Sequence, residues 1–152
     1  MTEMSGNVRG ALNDLIEKCH DGEYGFQEAS KSIGDPALRA ELMQYSMQRR
    51  EFATALQQAL LGKGEEPPTT GSLSGKLHRG WMSARRAISS NDDYAILSEC
   101  ERGEDVSVAA YREAMSSDVP SDVDDLVETQ YSAVKHVHDR IRSLRDASKP
   151  VQ

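Results

Sequence analysis

The most constraining feature of this chain is the recurrence of apolar residues at spacings of three and four along four long segments. These segments cover about residues 8–33, 36–61, 92–117 and 121–147. Such spacing places the apolar side chains on one face of an α-helix. The strict alternation that is typical of β-strands has little support in this sequence. Four helices of nearly equal length, each with one apolar face, predict an all-α four-helix bundle.

Residues with strong capping preferences support the predicted helix boundaries. Asp35 precedes Pro36, which predicts a helix that begins with an acidic N-cap and a proline in its first turn. Pro120 should end the segment before it, and Ser121 with Asp124 three residues later resembles a capping box. The second and fourth helices are therefore expected to begin close to residues 36 and 121.

Glycines within the first segment raise the alternative of two shorter helices. Asp21, Gly22 and Gly25 stand near its middle, and a glycine costs about 1 kcal/mol inside a helix. The apolar spacing nevertheless keeps its phase from Cys19 to Phe26, which a break would not be expected to preserve. We therefore predict one continuous helix, in which the glycines permit the close approach of a neighbouring helix.

The connections between the segments predict their topology. The first two and the last two helices are joined by very short links, which predicts two antiparallel hairpins. Residues 62–91 form a long crossover that is expected to contain a short amphipathic helix with Leu73, Leu77, Trp81, Ala84 and Ile88 on one side. This crossover is long enough to span a helix of roughly 39 Å, so the second and third helices should run parallel. A five-helix up-and-down bundle is the alternative.

Composition and charge exclude several classes of protein. With 152 residues and a formal charge of −7, the chain is expected to form a single domain with a core over about residues 8–147. The acidic balance argues against nucleic-acid binding. No apolar run approaches the roughly 18 residues of a membrane span, and residues 1–7 do not resemble a signal peptide. Two cysteines are too few for a disulfide scaffold, so a cytoplasmic location is expected.

Four charged residues interrupt the apolar faces where core residues are expected: Glu23, Arg49, Glu101 and Glu104. All of them lie within about one turn of the midpoints of their segments. When the helices are aligned in the predicted directions, Glu23, Glu101, Glu104 and His138 fall in one layer, with Arg49 beside it. A buried carboxylate is costly unless it is paired or coordinated, so this layer is the candidate functional site.

Two hypotheses account for this layer. In the first, Glu23, Glu101, Glu104 and His138 are ligands for iron or manganese. In the second, Arg49 pairs with one or more of the carboxylates and fixes the register of the helices. Di-metal bundles use a Glu from each of two helices and a Glu-x-x-His motif from each of the other two, a pattern that is incomplete here. No catalytic residue and no organic cofactor site is predicted.

Several sequence segments resemble a known family. They are 71–82 (GSLSGKLHRGWM), 97–105 (LSECERGED) and the shorter stretches 12–16, 130–135 and 138–142. In these the chain is similar to a bacterial family of ferritin-like four-helix-bundle proteins that is catalogued only as a domain of unknown function. The resemblance implies a ferritin-like bundle over about residues 8–147 with no established substrate. The chain departs from ferritins and rubrerythrins in lacking both Glu-x-x-His motifs, which argues against di-iron oxidase activity.

These observations favour a non-enzymatic ferritin-like bundle protein, a stress-associated or interaction module of a bacterial cytoplasm. The alternative is a metalloprotein that binds iron or manganese through the four predicted ligands and carries out oxidase chemistry. A homodimer formed through the first helix or the crossover helix is a further expectation.

Overall fold

A computed structural model of the chain describes residues 5–66 and 92–149. This part of the chain contains four α-helices and no strand. The helices are α1 (Gly6–Ser32), α2 (Pro36–Gly62), α3 (Asp93–Ser116) and α4 (Ser121–Ala147). The prediction of an all-α protein with four long helices is confirmed, and each boundary lies within two residues of the predicted one. The extra helix predicted in the crossover falls on residues 67–91, which lie outside the described residues.

Side-chain caps begin three of the four helices. Ser5 Oγ accepts a hydrogen bond from the Val8 amide at 3.2 Å, and Asp35 Oδ1 accepts one from the Ala37 amide at 3.0 Å. Asp92 caps α3 in the same way as Asp35 caps α2. The capping box predicted at the start of α4 is wrong, because Ser121 is already the first helical residue and the cap position is Pro120. Acidic residues in the first turn of α4 still complement the helix dipole.

Within the described part of the chain, each helix packs against two of the other helices, and every such pair is antiparallel. α1 packs on α2 and α3, and α4 packs on α3 and α2. The directions follow from contacts such as Glu41 with Arg140 near one end of the α2–α4 pair and Lys63 with Asp122 near the other. The diagonal helices α2 and α3 consequently run parallel, in the direction that the sequence predicts. None of the described helices is long and apolar enough to cross a membrane.

The buried apolar residues form two clusters along the bundle. One cluster lies towards the start of α1 and includes Leu12, Leu15, Leu56, Val127 and Val134. The other lies towards the end of α1 and includes Phe26, Ile33, Leu42, Leu97 and Ile141. The side chains of Arg49 and Glu104 are buried at the level between these clusters. The core is thus interrupted near the middle of the bundle by charged groups.

Helix α1 is continuous through its glycines, as predicted. Gly22 is buried against the side chain of Arg49 from α2, and a Cβ atom at this position would lie 3.2 Å from Arg49 Cγ and 3.3 Å from Arg49 Nη1. These distances are shorter than comfortable carbon contacts. The absence of a side chain at Gly22 therefore leaves the space on α1 that the Arg49 side chain of α2 occupies.

We expect Gly22→Ala to destabilise the protein relative to Gly10→Ala. A Cβ at the exposed Gly10 would have no atom within 4 Å, so its replacement should show the usual gain of up to about 1 kcal/mol in helix propensity. At Gly22 the same gain is opposed by crowding of a buried side chain, which typically costs about 1–3 kcal/mol. Urea denaturation would measure the difference in the free energy of unfolding between the two variants. Equal stabilisation would show that the Arg49 side chain can move aside without a cost in stability.

Candidate functional site

The centre of the site is a buried ion pair between Arg49 on α2 and Glu104 on α3. Arg49 Nη1 donates to Glu104 Oε1 at 2.6 Å, and Nη2 donates to Oε2 at 2.7 Å. The two side chains are only 1% and 2% exposed. Burial by itself would lower the pKa of Arg49, but the charge and the hydrogen bonds of Glu104 outweigh it, so this pKa is raised. Both oxygens of Glu104 are therefore occupied by a charged partner.

The remaining surface of the guanidinium is also enclosed. Its carbon lies 5.4 Å from the centroid of the Phe26 ring, within the range of a cation–π contact. Arg49 Nε donates to Gln48 Oε1 at 3.3 Å. One turn before Arg49, Ser46 Oγ donates to the backbone oxygen of Glu23 at 2.7 Å, which joins α2 to α1 at this level. The arginine is thus held by contacts with α1 and α3 as well as with Gln48 of its own helix.

A chain of hydrogen bonds beside this pair links all four helices. Cys19 Sγ on α1 lies 3.3 Å from Tyr111 Oη on α3, which donates to Gln130 Oε1 on α4 at 2.7 Å. Gln130 Nε2 in turn donates to the backbone oxygen of Phe52 on α2 at 3.3 Å. Burial raises the pKa of Cys19 to about 11, so its thiol is protonated near neutral pH and can donate to Tyr111.

Both cysteines are buried and free. Burial raises the pKa of Cys100 to about 12, and the pKa of Cys19 is raised by the same cause. A thiol becomes a nucleophile or a metal ligand when it loses its proton, so these two groups are unsuited to either role near neutral pH.

A second cluster of polar groups lies between α3 and α4. Glu101, Asp105 and His138 each offer one ligand atom, and these atoms lie within 4.8 Å of one another. His138 Nε2 is 2.6 Å from Asp105 Oδ1. Glu101 is buried and pairs with Arg142, whose Nε is 3.2 Å from Glu101 Oε1, and with Arg145. We call Glu101, Asp105 and His138 the α3–α4 cluster.

The other ring nitrogen of His138 faces a further carboxylate. Nδ1 lies 3.0 Å from Asp139 Oδ1, and Lys135 Nζ lies 2.7 Å from the same oxygen. Hydrogen bonds from Lys135 and then from His138 lower the pKa of Asp139 to about 2. Asp139 therefore stays ionised at physiological pH and orients the imidazole from outside the α3–α4 cluster.

The four predicted metal ligands do not all meet in the structure. Glu101 and His138 do come together, and Asp105 joins them. Glu104 is held by Arg49, whereas Glu23 lies on α1 with its Oε1 3.3 Å from His20 Nδ1 on the same helix. Sequence reasoning did not include Asp105, although its spacing of four from Glu101 places both on one side of α3.

A comparison with known protein families identifies the class of this chain. The model of one family, described as "Domain of unknown function (DUF2383)", matches residues 7–117. The chain therefore belongs to this family, as the resemblance of its motifs to a domain of unknown function suggests. The match includes α1, α2 and α3 and ends before α4. No curated protein sequence is significantly similar to the chain.

Replacing Arg49 alone should be far more damaging than replacing the whole ion pair. Arg49→Met leaves the Glu104 carboxylate buried and unpaired, which typically costs about 3–5 kcal/mol. The double variant Arg49→Met with Glu104→Leu removes both charges, and we expect it to recover most of that loss. Urea denaturation at neutral pH would give the three free energies of unfolding.

The matched control is Arg140→Met, which removes an arginine from the more exposed pair with Glu41. An exposed pair of this kind contributes about 0–1 kcal/mol, so this variant should unfold almost like the wild type. If the double variant at the buried pair were as unstable as Arg49→Met, the cost would not come from an unpaired carboxylate.

Proposed function

We propose that this protein is a ferritin-like bundle with a non-enzymatic role, in which an arginine–carboxylate pair takes the central place of a di-metal centre. The topology supports this proposal. Antiparallel neighbours with α2 and α3 parallel are the arrangement expected of a bundle with one long crossover. The connection between these two helices is also the longest in the chain, since α2 ends at Gly62 and α3 begins at Asp93.

The observation that best supports the proposal is the bidentate contact of Arg49 with Glu104. A di-metal centre needs carboxylate oxygens that are free to coordinate, and it supplies the positive charge that balances them. Here the guanidinium supplies that charge and engages both oxygens of the central carboxylate. Glu23 is also directed away from the centre, towards His20. The residues at mid-bundle therefore do not fit a di-metal site of the ferritin type.

Exposed apolar side chains on α2 support a role in interaction rather than in catalysis. Met43 and Met47 are 39% and 58% exposed and stand four residues apart, hence on one side of the helix. Met47 lines a groove between α2 and α4 together with Phe52 and Ala133. Methionine-rich surfaces adapt readily to different apolar partners.

The proposal predicts that the protein does not accelerate the oxidation of Fe(II). Protein purified without chelator should contain substoichiometric iron and manganese by elemental analysis. Its addition to aerobic Fe(II) should leave the rate of oxygen consumption equal to that of buffer. Stoichiometric iron together with accelerated oxidation, both abolished by Glu104→Gln, would contradict the proposal.

A second candidate function is the binding of one divalent cation by the α3–α4 cluster. Two carboxylates and an imidazole from adjacent helices form a ligand set for manganese, iron or zinc. A cation bound there would replace Arg142 and Arg145 as the partners of Glu101. Asp139 would orient the imidazole in the manner of the outer partners of metal-ligating histidines. Coordination at Nε2 requires that nitrogen without its proton.

Asp105→Asn tests this second candidate with little risk to the fold, because Asp105 is 60% exposed. We expect Mn²⁺ or Zn²⁺ to raise the melting temperature of the wild type and to have much less effect on Asp105→Asn. A cation at 100 times its dissociation constant stabilises a protein by about 2.7 kcal/mol, which a thermal scan resolves.

The matched control for the cation is Asp125→Asn, which removes an exposed carboxylate of α4 that is not part of the α3–α4 cluster. This variant should retain most of the thermal shift. An equal shift in wild type and Asp105→Asn, or no shift in the wild type, would refute cation binding at the cluster. The result is independent of the Fe(II) assay, which tests the central pair.

A further inference from the structure

A cavity of about 170 Å³ lies between α1 and α3, on a different side of α3 from the α3–α4 cluster. Its apolar lining includes Phe26 from α1 with Cys100 and Val106 from α3. Gly22 and Gly103 also line it, so both helices lack a side chain at these points. An apolar cavity of about 150 Å³ can hold a benzene molecule. The cavity thus has room for an apolar body of about that size.

Most of the charged groups around this cavity already have partners. Lys18 Nζ lies 3.3 Å from Asp14 Oδ1, and Arg102 Nε donates to Glu99 Oε2 at 2.9 Å. Both oxygens of Glu104 accept hydrogen bonds from Arg49. The two basic residues of the lining are therefore neutralised by carboxylates of their own helices.

Asp21 is the exception among these groups. Its carboxylate lines the cavity and is more than half buried, yet it makes no hydrogen bond and no ion pair to any residue in 5–66 or 92–149. A carboxylate removed from water without a partner is unfavourable, and a ligand that brings a positive charge or a donor would offset that cost. Among residues 5–66 and 92–149, Asp21 is thus the charged group of the lining that has no hydrogen-bonded or ion-paired partner.

We propose that the α1–α3 cavity binds a small organic ammonium ion, with the apolar body between the helices and the ammonium group on Asp21. The apolar walls account for the apolar body of the ligand. The Asp21 carboxylate, which has no partner among the described residues, accounts for the charge of the ligand. The site borders the central ion pair through Glu104 and lies on a different side of α3 from the α3–α4 cluster. It adds a ligand to the function proposed above.

The protonation of Asp21 supports the same chemistry. Burial raises the pKa of Asp21 to about 6, with Glu17 and Asp14 acting in the same direction and Lys18 and His20 opposing them. Arg102 and Glu104 line the cavity from α3, and the Arg49 side chain of α2 packs on the adjacent Gly22. An ammonium ligand favours the ionised carboxylate, so its binding should weaken as the pH falls below about 6.

Benzylamine and benzyl alcohol form a matched pair of probes, since they share an apolar body and differ in charge. Titration of ¹⁵N-labelled protein at pH 7.5 should shift the amide signals of Gly22, Gly103 and Ser107 with benzylamine. Benzyl alcohol should bind about tenfold more weakly or worse. Benzylamine should also bind about tenfold more weakly at pH 5, where most of Asp21 is protonated.

Asp21→Asn provides the test of the residue itself. It should weaken benzylamine binding by about tenfold, abolish the preference over benzyl alcohol and remove the dependence on pH. It should not impair folding, because it removes a partly buried charge that lacks a partner within residues 5–66 and 92–149. Asp14→Asn is the control, since Asp14 pairs with Lys18 and does not line the cavity.

Three results would overturn the proposal. The first is the absence of shifts at Gly22, Gly103 and Ser107 with benzylamine at millimolar concentration. The second is equal benzylamine affinity in wild type and Asp21→Asn. The third is tighter binding of benzoate than of benzylamine, which would show that Lys18 and Arg102 dominate the field of the cavity.

Discussion

The ion pair between Arg49 and Glu104 is the constraint on which the rest of the bundle depends. It joins α2 and α3, which stand diagonally across the bundle, at a level with apolar clusters on both sides. A buried pair adds little net stability over apolar residues of similar size, but half of such a pair is very costly. Any packing that separated the two groups would leave a buried charge without its partner, which would destabilise that packing. We infer that the pair fixes the register of α2 against α3, and Gly22 of α1 leaves the space it needs.

Helix α3 contributes residues to all three sites for which we propose roles: the central ion pair, the α3–α4 cluster and the α1–α3 cavity. Within two turns it directs Glu104 into the bundle, Glu101 and Asp105 towards α4, and Gly103 and Ser107 towards α1. Three different sides of one helix thus serve the central pair, the α3–α4 cluster and the cavity. This short stretch lies inside residues 7–117, which match the family model, whereas His138 of α4 lies outside them.

The sequence predicts the helices closely because burial of one face imposes a period that can be counted directly. It also indicates that Arg49 and the carboxylates lie near one level, since levels follow from helix direction and rise. It could not tell which carboxylate pairs with Arg49, because that depends on the rotation of each helix about its axis. Glu23 shows the same limit: it occupies an apolar position in the pattern, yet its flexible side chain turns to His20. Asp105 was missed because it is largely exposed and does not interrupt the apolar face.

The antiparallel packing of every neighbouring pair has an electrostatic consequence. Each helix carries partial charges of opposite sign at its two ends, and here every N-terminus stands beside the C-termini of two neighbours. The dipoles of the four described helices therefore largely cancel, so these helices add little backbone field at either end of the bundle. In the described part of the chain, the potential that approaching ions and partners experience is consequently set mainly by side chains. The effect of the formal charge of −7 on approaching ions and partners therefore depends on the positions of the individual carboxylates rather than on the arrangement of the helices.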